Sequence, residues 1–99
     1  MNIQIHSVKF DADKKLLDFI NQKVNKLSQF SNDIIAVEVY LRLIKDQEKE
    51  NKLTEIRVEY PRGPLFAKKQ SKTFEEATDN VIEALKKQIT RQKDKMRGK

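Results

Sequence analysis

Along residues 34–44, IIAVEVYLRLI, Ile35, Val37, Val39, Leu41 and Leu43 alternate with Ala36, Glu38, Tyr40 and Arg42. A period of two is that of a strand with one face on a core and the other in water. Residues 2–8 repeat the pattern more briefly, with Ile3 and Ile5 two apart. After a break at FDADKK, Leu16, Leu17, Ile20, Val24 and Leu27 recur at helical spacing, which predicts an amphipathic helix over 13–28 with Asp11 or Asp13 as its N-cap. The polar run KDQEKENK (45–52) is expected to form a solvated hairpin loop. It leads into a third strand over 53–60, with Ile56, Val58 and Tyr60 on one face and Glu55, Arg57 and Glu59 on the other.

PRGP (61–64) marks a tight turn, because proline fixes φ and glycine tolerates positive φ. A short fourth strand (65–70) follows, and then Thr73 and Glu76 stand in the T-x-x-E spacing of a capping box. Phe74, Ala77, Val81, Leu85 and Ile89 carry the helical period to about residue 95. The order is therefore β-α-β-β-β-α. A right-handed crossover makes the first two strands parallel, and two hairpins make the rest antiparallel. Each strand has one apolar face and each helix one apolar stripe. The expected fold class is α+β: a two-layer sandwich, a four-stranded sheet with two helices on one face and the far face exposed.

At 99 residues the chain suits one domain, taken as residues 1–95 with a short basic tail at 96–99. Without cysteine it has no disulfide, thiolate metal site or thiol nucleophile, which fits a reducing compartment and a cytoplasmic address. The N-terminus lacks the basic and continuously apolar regions of a signal peptide, and no window approaches the ~18 apolar residues of a membrane span. The net charge of +6 is uneven: residues 84–99 hold seven Lys and Arg against Asp94, and residues 1–83 balance at 14 basic and 14 acidic side chains. A basic excess gathered at one end points to a polyanion, nucleic acid before membrane.

The helical period sorts these cations. Lys15, Lys23 and Lys26 fall on one flank of the first helix, and Lys87, Arg91 and Lys95, four apart, make a stripe on the second. Lys86 and Lys93 fall on the opposite flank. With the helices side by side, the two basic flanks are expected to border one groove suited to phosphate backbones. Late cations also complement the helix dipole, and Glu75, Glu76, Asp79 and Glu83 do the same at the start, a structural role rather than a metal site. Tyr40 and Phe66 are expected to pack against sheet neighbours. Catalysis has little to work with: His6 is the only histidine, it stands on the open face of the first strand, and no triad or metal-ligand spacing is visible. The chain is not expected to be an enzyme, to use a cofactor or to take a small-molecule substrate.

Several stretches together resemble the ribosome hibernation-promoting factor family, also called the sigma-54 modulation protein family. They are I-x-x-x-x-F ending at Phe10, LLDFINQKVNKLSQF with Lys23, Lys26 and Leu27, VEVYL, PRG before LFA, and TFEEATDNVIEALKKQITRQKDK. The resemblance implies a fold similar in shape to a double-stranded RNA-binding domain. It also implies binding to the small ribosomal subunit through ribosomal RNA in the decoding channel, which blocks messenger and transfer RNA and silences translation in stationary phase or stress. RNA contacts then carry over to Lys23, Lys26, Lys87, Arg91 and Lys95, and with them Lys86, Lys68, Lys69 and Lys72. The sequence stops soon after the second helix, so it is expected to be a short form and a monomer off the ribosome. Two alternatives stay open on the residues themselves: a general double-stranded RNA binder, and an interaction domain docking an acidic protein.

Overall fold

The structure, a computed structural model, describes residues 2–45 and 49–97, without the side chains of 95–97. The elements are β1 (Asn2–Val8), α1 (Lys14–Phe30), β2 (Ala36–Leu43), β3 (Lys52–Glu59), β4 (Leu65–Ser71) and α2 (Phe74–Arg97). The sheet order is β1-β2-β3-β4, with β1 parallel to β2 and the other pairs antiparallel. This is the expected α+β sandwich, with both helices on one face. Of the expected loop 45–52, residues 46–48 lie outside the described residues, and Lys52 already belongs to β3. α2 runs two residues past the expected end at 95, and Gly98 and Lys99 of the expected tail also lie outside.

Local chemistry sets the element ends. Asp13, rather than Asp11, caps α1: its carboxylate accepts from the Leu16 amide at 2.9 Å, taking up one of the donors a helix start leaves unpaired. Thr73 caps α2 in the same way, its hydroxyl accepting from the Glu76 amide at 3.0 Å. The expected capping box is only half formed, because the Glu76 carboxylate is turned to the Ser71 hydroxyl, which ties the helix start to the end of β4. Gly63 takes φ 122 in the PRGP turn, a value open to glycine and strained for other residues, and its amide closes the turn on the Tyr60 carbonyl at 3.0 Å.

The core lies between the layers. Leu16, Ile20, Val24 and Leu27 of α1 and Phe74, Ala77, Val81, Leu85 and Ile89 of α2 meet Val37, Val39, Leu41, Ile56, Val58 and Leu65 from the sheet. α2 lies over β3 and β4 and against α1. Phe10 stacks on Phe74 with centroids 5.2 Å apart, closing the end of the sandwich where the second helix begins. The alternation along β2 overstates its buried face. Ile35 and Leu43 share the parity of Val37 yet are 52% and 50% exposed, because they stand where the helix layer does not cover the sheet, while Ile34 turns into the core.

Inside this apolar seam the Thr54 and Thr78 hydroxyls pair at 3.3 Å, both side chains at 0% exposure. Removing one partner leaves a buried hydroxyl unpaired, which costs about 1–3 kcal/mol, whereas replacing both by groups of the same shape is nearly neutral. Chemical denaturation is therefore expected to show Thr78→Val destabilised by about that amount and Thr54→Val/Thr78→Val restored towards wild type. Leu85→Ala, a truncation in the fully buried seam, is expected to cost about 2–5 kcal/mol in the same measurement.

Candidate nucleic-acid interface

The two faces of the sandwich differ in charge. Strand parity places Arg42, Arg57 and Lys68 on the open face of the sheet together with Glu38, Glu55 and Glu59, so the two signs cancel. Arg42 bonds Glu55 at 2.9 Å, and Arg57 lies 5.7 Å from the Phe66 ring centroid. His6 stacks on Tyr40 at 4.7 Å and approaches Glu38 at 3.5 Å, half-exposed. Tyr40 and Phe66 thus pack against sheet neighbours as expected. Among the described residues no cluster of three or more His, Cys, Asp or Glu side chains is placed to hold a metal ion, and no helix is long and apolar enough to cross a membrane.

The helix layer carries the surplus of positive charge, and α2 divides it. Between α1 and α2 runs a groove lined by Lys23, Lys26, Asp79, Ile82, Glu83 and Lys86. On the other flank of α2, against β4, a wider depression is lined by Lys69, Asn80, Glu83, Ala84, Lys87, Gln88 and Arg91. The cations expected to share one groove are therefore split. Lys87 and Arg91 do not face α1; they stand with Lys69 on the β4 side. The flank that does border Lys23 and Lys26 carries Lys86 and, farther along, Lys93. The helical period fixes which cations share a flank, but packing against β4 on one side and α1 on the other decides what each flank faces.

The strand cations divide as well. Lys69 shares the inward parity of Leu65 and Ala67 and reaches the α2 depression, whereas Lys68 stands opposite Glu55 on the open, neutral face. Lys72 is exposed just before the Thr73 cap. The Lys95 side chain lies outside the described residues.

Electrostatic partners separate the groove residues further. Lys23 is engaged across the helices with Asp79 at 3.0 Å, and Lys86 leans on Glu83 at 3.5 Å. Lys26, Lys69, Lys87 and Arg91 have no acidic partner within 4.0 Å among the described residues, so their charge is available to a ligand. Gln88 is tied back to β4, its amide donating to the Phe66 carbonyl at 2.9 Å, which holds α2 at a fixed height above the depression. Lys14 hydrogen-bonds Asp18 at 2.9 Å, and that bond and the opposite charge raise its ammonium above the ordinary lysine value. It sits at the start of α1, away from both grooves. Sequence patterning did not single out Asn80, which lines the β4-side depression; it placed Lys86 and Lys93 together on the second flank of α2, the one that meets α1.

Comparison with known proteins accords with this architecture. A ribosome hibernation promoting factor from Klebsiella oxytoca is 28% identical over 97 residues, covering 98% of this chain and 96% of that protein. One from Salmonella typhimurium is 29% identical over the same length and shares. Among solved structures, the Thermus thermophilus protein Y N-terminal domain superposes with a TM-score of 0.76 at 21% identity, covering 92% of this chain and 98% of that one. A ribosomal subunit interface protein from Coxiella burnetii reaches 0.81 at 17% identity, covering 94% and 98%. The family described as Sigma 54 modulation protein / S30EA ribosomal protein matches residues 3–97, nearly the whole chain, and this protein belongs to that family.

Proposed function

We propose that this protein is a ribosome hibernation factor: it binds the small ribosomal subunit through ribosomal RNA in the channel where messenger and transfer RNA sit, blocks both, and so silences translation. The observation that carries this is the pair of basic grooves on opposite flanks of α2. Basic grooves on both sides of the α2 crest, with Lys26 free of an acidic partner on one side and Lys87 and Arg91 on the other, suit a cleft with RNA on two walls better than the outside of a single duplex. The names of the relatives, hibernation promoting factors and a subunit interface protein, point the same way. Most contacts would go to phosphate and ribose, since the donors in the grooves are lysine ammonium groups, joined on the β4 side by the Arg91 guanidinium and the Asn80 and Gln88 amides.

Co-sedimentation with isolated small subunits tests this directly. Binding that messenger and initiator transfer RNA abolish is the expected result; binding that survives both would place the protein elsewhere on the ribosome.

Affinity should also fall steeply with salt, by about a thousandfold between 50 and 200 mM if about six phosphates are neutralised. Lys87→Ala/Arg91→Ala is expected to fold normally, because both side chains lie outside the core, yet to bind weakly and with a salt slope reduced by about 2. Glu83 lines both grooves and opposes a phosphate in either, so Glu83→Gln should strengthen binding about two- to fivefold in the same titration.

A further inference from the structure

Phe30, the last residue of α1, is 39% exposed. The Lys93 ammonium of α2 lies 5.2 Å from its ring centroid and donates to its backbone carbonyl at 3.0 Å. The carbonyl bond has a structural purpose. α1 has no basic residue in its last turn, and Lys93 brings from the neighbouring helix the positive charge that a helix C-terminus favours. That accounts for the ammonium and not for the ring, since any residue at position 30 would present the same carbonyl.

The ring is placed among cations. Lys26, which lines the inter-helix groove, is one turn before Phe30 on α1, and Lys86, which also lines it, is two turns before Lys93 on α2. Contacts between the helices step in the same direction along both, Lys23 to Asp79 and then Phe30 to Lys93, so Phe30 lies at the open end of that groove. The other exposed aromatic, Phe66, is beneath Arg57 on the charge-balanced face. Phe30 is the aromatic that combines exposure with the basic surface among the described residues.

We propose that Phe30 is a stacking platform for an unpaired nucleobase, with Lys26 taking a phosphate beside it and Lys93 holding the end of α1 in place. This role depends on the chain binding RNA through its helix layer, as proposed above. An aromatic ring stacks on any base, while a base already paired inside a duplex has no free face to offer. Phe30 would therefore select, among phosphate backbones that the cations accept alike, the one carrying a splayed or bulged nucleotide.

The test compares two RNA probes, a short duplex with one bulged adenosine and the same duplex without the bulge, against wild type, Phe30→Leu and Phe30→Trp. Leucine keeps apolar bulk at the end of α1 and removes the π face; a thermal melt confirms that the fold is retained. Wild type is expected to prefer the bulged probe, Phe30→Leu to lose about 5- to 100-fold on it while holding its affinity for the plain duplex, and Phe30→Trp to bind the bulged probe with quenched fluorescence. Equal losses on both probes, no loss in Phe30→Leu, or an unquenched tryptophan would overturn the stacking role and leave RNA binding standing. Binding to neither probe by wild type, together with no binding to small subunits, would overturn both.

Discussion

The structure depends on how α2 is seated. Phe74, Ala77, Val81, Leu85 and Ile89 form one stripe that is buried against the sheet and α1, and a fully buried side chain of the larger kind is worth about 1.5–3 kcal/mol relative to exposure. Rotating the helix by one residue, about 100°, would lift most of that stripe into water. The seating is therefore rigid in rotation, and the polar side chains have no independent choice of direction. Lys86 and Lys87 are adjacent in sequence yet serve opposite grooves, because the buried stripe holds the crest of α2 between them.

Around this seam the polar contacts reinforce position more than they add stability. The Gln88 amide on β4, the Ser71 hydroxyl on Glu76, the Lys23–Asp79 bridge and the Lys93 contact to Phe30 all fasten α2 to a neighbour. Exposed pairs of this kind contribute little individually. Their effect is to spend some cations on internal partners and leave others free, so formal charge alone is a poor guide to which lysines can meet a ligand. The open sheet face carries the same lesson in another form: its three cations are matched by three carboxylates, and the field of the molecule points outward from the helices. A polyanion approaching by diffusion would be oriented before contact, with the helix layer leading.

Much of the fold was legible because its elements are locally consistent. The period-two and period-3.6 runs, a cap at Asp11 or Asp13, the Thr73 cap and the PRGP turn give the same boundaries within a few residues, and the crossover and the two hairpins supply the strand directions. Where patterning erred it erred at edges. Ile35 and Leu43 continue the alternation of β2, but no helix covers them. Strand period reports which face a side chain joins and nothing about how far the opposing layer extends.

The sequence by itself determined the element order, the buried stripes, the basic surplus near the C-terminus and the sorting of α2 cations into two flanks. Each follows from local geometry, since spacing along a helix or strand sets direction relative to its own axis. Only the tertiary structure decided that Lys86 and Lys93 face α1 while Lys87 and Arg91 face β4, that Lys68 and Lys69 part to opposite faces in relation to the helices, and that Phe30 meets Lys93. Those facts relate two axes to each other, and the relation is set by packing of side chains distant in sequence, which no periodicity within either segment encodes.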